Sequence, residues 1–150
     1  MLIRYATLDD LDLIAPLFAA YRVFYEQAHD LPAARRFIGD RLRLRESVIL
    51  LALDEKCGTN EALGFVQMYP AFSSVACQGI LLLNDLFVAQ TARRQGVARQ
   101  LLERAKEHGL SVGAAKLKLS TANTNQLAQK LYESLGYQQD QAFRHYSLAI

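Results

Sequence analysis

The stretch whose residue types and spacing could do chemistry is Arg93-Arg94-Gln95-Gly96-Val97-Ala98, where a long apolar run hands over to a helical pattern. A helix start offers backbone amides without intrahelical partners and the positive end of a dipole, so it can hold a phosphate or pyrophosphate. Gly96 and Ala98 are small enough to let a ligand approach the backbone, and Arg93, Arg94 and Arg99 add charge-assisted donors. The stretch is not a Walker loop, because no Gly-Lys-Ser/Thr is present, and it lacks the three-glycine spacing of a dinucleotide fingerprint. The plainer alternative is a glycine turn followed by a solvated helix face.

Few other residues invite chemistry by type and spacing. Cys57 and Cys77 stand apart from His29, His108 and His145, so no metal site is expected. Neither cysteine has an adjacent histidine or helix start that would make it a nucleophile. Seventeen Lys and Arg against fifteen Asp and Glu leave a net charge of +2, too small an excess for a chain that grips nucleic acid. The longest apolar runs, Val48 to Leu53 and Ile80 to Leu83, are too short to cross a bilayer, and no membrane partner is expected. These features predict a soluble, cytoplasmic protein with reduced thiols.

The elements that would position the turn follow from periodicity. With 150 residues, 51% apolar and 21% charged, the chain reads as one domain, residues 1–150, without repeats or linkers. Thr7, Asp9 and Asp10 predict a helix start, followed by an apolar face of Leu11, Ile14, Phe18, Tyr21 and Tyr25, with Pro16 kinking the helix or delaying its start. A second helix is predicted from Pro32 to Arg43. Strands are predicted at Val48 to Leu53 and Ala62 to Tyr69, joined by a hairpin loop from Asp54 to Asn60, and a doubly buried strand at Gly79 to Val88. A helix from Gly96 to His108 and a strand at Lys116 to Ser120 would close a crossover with two parallel strands. A helix from Asn125 to Leu135, packing Leu127, Ala128, Leu131 and Leu135, is predicted to stop at Gly136. Two terminal strands would follow, around Tyr137 and at His145 to Leu148.

Three linked motifs carry a resemblance: the strand Leu83-Asn84-Asp85-Leu86-Phe87-Val88, the Arg-x-x-Gly-x-Ala turn, and the set Asn125, Ala128, Leu131-Tyr132-Glu133, Leu135-Gly136-Tyr137. Together they resemble the GNAT superfamily of acetyl-CoA-dependent N-acetyltransferases, over about residues 80 to 137. The strand and the tyrosine helix are similar to the branch that holds spermidine/spermine and related histone or small-amine acetyltransferases. The resemblance implies an α/β fold with a mixed central sheet of about six to seven strands, a splayed parallel pair and flanking helices. It also implies acetyl-CoA as co-substrate, a homodimer, and direct attack of a primary amine in a ternary complex.

The resemblance further implies residue roles. Leu86, Phe87 and Val88 would pair with the pantetheine arm, the amides of Arg94, Gln95, Gly96, Val97, Ala98 and Arg99 would hold the pyrophosphate, and Arg93 matches the first motif position. Asn125 and Ala128 would lie along the cofactor, and Tyr132 matches the tyrosine beside the thioester sulfur. An amide near Phe87 or Val88 could stabilise the oxyanion, and Tyr132 could protonate or hydrogen-bond the leaving thiolate. A protonated alkylamine must lose a proton before it attacks, and Asp85 is the only carboxylate in the buried run. The polyamine-acetylating relatives carry Glu-Asp where this chain has Asn84-Asp85, which counts against a polyamine acceptor. Strand neighbours point to opposite faces, so Asp85 and Asn84 should not both reach the acceptor directly. Asp85 is expected as the base, directly or through water, or else as a carboxylate that binds loop amides.

Tyr21, Phe24, Tyr25 and Glu26 fall where the superfamily builds its acceptor pocket, although such an apolar stripe is equally a core face. Tyr69-Pro70-Ala71-Phe72-Ser73-Ser74 is similar to an acceptor-side loop, with the proline breaking the strand. Arg35, Arg36, Arg41, Arg43 and Arg45 are expected to form a solvated face rather than an anion site. His145 is expected to pack or to face solvent. The alternative function is a non-catalytic acyl-CoA sensor or interaction module of the same fold; transfer of a longer acyl group is a third.

Overall fold

The structure is a computed structural model that describes residues 1–55 and 61–150, so Cys57 and most of the hairpin loop expected at Asp54 to Asn60 lie outside the described residues. The chain divides into two units, Met1–Ser120 and Thr121–Ile150.

The first unit is built on one five-stranded sheet in the order β1 (Leu2–Tyr5), β2 (Val48–Asp54), β3 (Glu61–Ser73), β4 (Gln78–Val88) and β5 (Leu117–Leu119). Neighbours are antiparallel except β4 and β5, the parallel pair expected from the crossover. Helix α1 (Leu11–Phe24) follows a short 3-10 turn at Leu8–Asp10, α2 (Leu31–Leu44) precedes β2, and α3 (Val97–Ser111) links β4 to β5. Ile14, Phe18, Ala34 and Ile38 of the first two helices cover Ile49, Leu51, Leu53, Phe65 and Phe87 of the sheet. Leu50 and Val66, buried outside that cluster, alternate to the other face, against which α3 packs.

Local chemistry explains most boundaries. Asp30 caps α2 by accepting from the Ala33 amide at 2.8 Å, ahead of Pro32 in the first turn. Thr7 and Asp10 form a capping box at the 3-10 turn that precedes α1. The buried Asp10 carboxylate accepts from the Thr7 amide at 2.8 Å and from both Arg4 guanidinium nitrogens at 2.7 and 2.6 Å. The Arg4 hydrogen bonds hold that carboxyl below its ordinary range. Pro16 lies inside α1, which runs through it unbroken.

Several expectations need correction. Among the described residues the sheet has five strands rather than about six to seven. Sequence reasoning missed β1, whose four residues are too few to show a period. Pro70 does not break β3: it pairs with Leu81 inside the strand, beyond Met68, where β2 pairing has already ended, so its missing N–H leaves no ladder bond unmade.

In the second unit α4 (Gln126–Ser134) is capped by Asn125, which accepts from the Ala128 amide at 3.3 Å. Gly136, at φ +87°, closes it, with Gly136 donating to the Glu133 carbonyl and Tyr137 to the Tyr132 carbonyl. Leu127, expected on the packed face, is 83% exposed. Among the described residues no strand follows α4, although two were expected around Tyr137 and at His145 to Leu148. Tyr146, Leu148 and Ile150 do alternate as a strand would, yet all three are exposed. An apolar period specifies which side chains share a face, but only a neighbouring edge satisfies the backbone, and residues 121–150 contain no strand to supply one.

Candidate functional site

The parallel pairing ends before β4 does. Pairing of β4 with β5 ends at Leu83 and Leu119, whereas β4 continues beside β3 to Val88. Among the described residues, Asn84 to Val88 therefore have a strand on one side only. The Ala89 amide donates to the Leu63 carbonyl at 2.9 Å, while the Val88 carbonyl accepts from Arg93 Nε at 3.3 Å. Alternation along the strand then turns the peptide groups of Leu86 and Val88 toward the unpaired edge and those of Phe87 toward β3. The Phe87 side chain is buried in the core under α1 and α2.

That edge leads into the arginine turn. Arg94 and Gly96 both have positive φ, 63° and 79°, and Gly96 is the residue before the first turn of α3. A Cβ on Gly96 would meet only the Gln100 side-chain nitrogen, at 4.0 Å, so the glycine answers to backbone conformation and to open space above it. Arg93, Arg94, Gln95, Gly96 and Arg99 are exposed and Ala98 is half-buried. Val97 is buried. The Arg93 guanidinium lies 5.9 Å from the centre of the Phe87 ring.

Asp85 sits on the same strand, two residues before Phe87 and almost fully buried. The β3–β4 register slips at this point: Gln67 pairs with Asp85 and Met68 with Leu83, leaving Asn84 as an extra residue. The bulge switches the strand's parity. Leu81 faces α3, 3.7 Å from where a Cβ on Gly109 would stand, whereas Phe87 faces α1 and α2. Asp85 shares the Phe87 side. Within the bulge Asn84 Nδ2 donates to Asp85 Oδ1 at 3.1 Å.

Sequence reasoning missed Gln67, which is wholly buried and donates from Nε2 to Asp85 Oδ2 at 2.6 Å. Its Oε1 accepts from Ser47 Oγ at 2.8 Å. The available signal was one amide inside the apolar run from Gly64 to Met68. The Tyr69 phenol is pushed up, first by burial and then by the Asp85 charge.

At the C-terminal end of α1, Tyr21 places its ring 6.3 Å from Phe87 and 5.0 Å from Tyr25, and Phe24 lies 5.2 Å from Tyr25. Phe24 and Tyr25 are about half exposed, at 53% and 43%. Tyr21 thus connects the core under the strand to an exposed aromatic shelf. Three of the five arginines in the α2 region have carboxylate partners: Arg35 with Asp12, Arg41 with Glu46 and Arg43 with Asp40. That agrees with a solvated face. In the second unit Tyr132 is half-buried, its ring 5.8 Å from that of Tyr137, whose phenol burial pushes up. His145 is exposed.

Among the described residues no group of three or more His, Cys, Asp or Glu could hold a metal ion, and no helix is long and apolar enough to cross a membrane. The Acetyltransferase (GNAT) family model matches residues 14–137. An uncharacterized N-acetyltransferase of Bacillus subtilis (strain 168), YhfO, is 46% identical over 150 residues, 100% of this chain and 98% of that protein. A probable acetyltransferase of Haemophilus influenzae is 34% identical over 98 residues, 65% of each chain. The crystal structure of a probable acetyltransferase, 46% identical, superposes with a TM-score of 0.93 and covers 100% of this chain and 98% of its own.

Proposed function

Because the chain belongs to the acetyltransferase (GNAT) family and is an acetyltransferase by that membership, we propose that it moves the acetyl group of acetyl-CoA onto a primary amine by direct attack in a ternary complex. The observation that carries this reading is the unpaired edge of Leu86 to Val88 running straight into the exposed turn Arg93 to Arg99. An extended amide-bearing arm can pair with the first, and a pyrophosphate suits the amides and arginines of the second.

The remaining roles rest on chemistry and on the motif match. The amine nitrogen attacks the thioester carbonyl, and a new C–N bond forms as the C–S bond breaks. The oxyanion that forms in between suits the outward amides of Leu86 or Val88. Asp85 takes the proton that the nitrogen sheds, and the departing sulfur either takes the Tyr132 proton or leaves as a thiolate hydrogen-bonded by Tyr132 and takes its proton from solvent, giving amide and thiol. Asn125 and Ala128 belong with Tyr132 to the cofactor-binding set. Tyr21, Phe24, Tyr25 and Asn84 line the acceptor side. The branch that holds spermidine/spermine and small-amine acetyltransferases is the narrower reading, resting on the Asp85 to Val88 strand and the tyrosine helix, with Asn84 favouring a small amine other than a polyamine. We read residues 1–150 as one catalytic domain working in the cytoplasm.

Thiol release from acetyl-CoA against polyamines, arylalkylamines, amino acids, aminoglycosides and lysine peptides tests the proposal. Turnover with any class sustains it, whereas tight acetyl-CoA binding without turnover on the whole panel defeats it. Gly96→Glu is expected to weaken acetyl-CoA binding roughly tenfold to a hundredfold, since a side chain is forced into positive φ and a like charge enters the pyrophosphate cradle. Calorimetric titration with the same affinity as wild type would refute that placement. The homodimer implied by the resemblance belongs to this reading, and sedimentation as a monomer at micromolar concentration would count against it.

A further inference from the structure

We propose that Arg41 is a specificity-determining residue of the acceptor side: its two terminal nitrogens take the carboxylate of a free amino acid whose amine faces Asp85 and the unpaired edge of β4. The proposal rests on the acetyl-transfer reading and names its acceptor class.

Arg41 departs from the solvated face formed by its neighbours. Its side chain is 22% exposed, against 50% for Arg35 and 58% for Arg43, and its guanidinium lies 4.7 Å from the centre of the Phe37 ring. Arg35 and Arg43 each engage a carboxylate through a terminal nitrogen, whereas Arg41 donates to Glu46 from Nε, at 2.6 Å. Among the described residues neither terminal nitrogen of Arg41 has a hydrogen-bond partner. No buried side-chain nitrogen or oxygen there lacks a partner, so both nitrogens lie where solvent or a ligand reaches them. A guanidinium held at Nε and along an aromatic face presents its outer fork in one orientation, which suits a bidentate carboxylate.

The fork belongs to the same side of the sheet as Asp85. Phe65, Gln67 and Tyr69 alternate toward α1 and α2 along β3, and Tyr69 lies one residue beyond Met68, the last to pair with β2. Arg41, in the last turn of α2, joins this region through Glu46, whose amide donates to the Arg41 carbonyl at 3.1 Å, and through Ser47, which follows it. Hydrogen bonds then link Ser47 to Gln67 at 2.8 Å and Gln67 to Asp85 at 2.6 Å. The half-buried Tyr69 phenol is raised first by burial and then by Asp85, and Arg41 opposes the rise, so both side chains act on one hydroxyl. Charge then selects among acceptors. An amine that carries a carboxylate places unlike charge against Arg41, whereas a polyamine places a second ammonium there and loses by like-charge contact.

Thiol release from acetyl-CoA, measured with amino acids and their matching amides, tests the assignment; β-alanine and γ-aminobutyrate extend the series in amine-to-carboxylate distance. Wild type is expected to favour the acid of an active pair by about tenfold to a hundredfold in kcat/KM, the range of a charge-assisted hydrogen bond. The amide's less basic amine offers more of the neutral nucleophile, so a preference for the acid reports recognition of the carboxylate. In Arg41→Gln that preference should fall to about twofold, the loss falling on the acid, and Arg41→Lys, which keeps the charge without the fork, should stand between. Equal turnover of acid and amide by wild type overturns the proposal, and so does an amine without a carboxylate as the best acceptor. An acid preference that survives in folded Arg41→Gln, or a loss shared equally by acid and amide, overturns it too. If Arg41→Gln does not fold, Arg41→Lys decides by the same ratio. Absence of thiol release with every amine would instead defeat the acetyl-transfer reading. Calorimetric titration with the amino acid then still decides on Arg41: affinity lost in the variant sustains its carboxylate-binding role, and equal affinity or no binding by wild type overturns it.

Discussion

Asp85→Asn is expected to lower kcat/KM for the amine by about a thousandfold, within the range of general-base contributions, while leaving acetyl-CoA affinity unchanged. The substitution is nearly isosteric and sits where Gln67 and Asn84 both point donors, so one amide end of the new residue meets a donor instead of an acceptor. That mismatch costs about 1–2 kcal/mol of stability and should be visible as a modestly lower melting temperature. The larger loss is chemical. The amine nitrogen must shed a proton on its way to an amide, and an asparagine cannot accept one. A kcat/KM for the amine within severalfold of wild type in Asp85→Asn, or a loss shared equally by acetyl-CoA binding, would show that Asp85 is only a structural carboxylate.

The contrast between Asp85 and Gln67 also marks what a sequence can disclose. The strand from Gly79 to Val88, the arginine turn, the crossover helix and the second helix with its Asp30 and Pro32 start were legible, because caps, apolar periods and breakers are properties of consecutive residues. The bulge at Asn84 was not, since a bulge is a relation between two strands and has no signature on one. Without the bulge, Asn84 and Asp85 must point apart and Gln67 is one polar residue in an apolar strand. With it, the three side chains form one hydrogen-bonded group. The over-reading of the terminal residues has the same origin. Alternation at Tyr146, Leu148 and Ile150 describes a face, and whether an edge receives it is a fact about the rest of the fold. Leu127 fails in the same way, as a helix stripe names a candidate face without its cover.

Tyr132→Phe is expected to slow thiol release by about a hundredfold without weakening acetyl-CoA binding more than about twofold. The phenylalanine keeps the ring that lies 5.8 Å from Tyr137 and keeps the closing bond from the Tyr137 amide to the residue 132 carbonyl, so α4 should retain its end. Only the hydroxyl is lost. A phenol near pKa about 10 gives its proton uphill to a thiolate near about 8.5, so a hydrogen bond that strengthens as sulfur gains charge can account for most of the effect. The two contributions part in the choice of leaving group. An acyl donor whose thiol is more acidic than coenzyme A needs less help, and with it the deficit of Tyr132→Phe should shrink toward severalfold, while Asp85→Asn keeps its full deficit with both donors. Equal loss in Tyr132→Phe for both donors would separate the hydroxyl from the sulfur and leave Tyr132 as a helix residue that orders its own segment. A shrinking loss confined to Tyr132 would place the two residues at opposite ends of the same displacement, one serving the nitrogen and the other the sulfur.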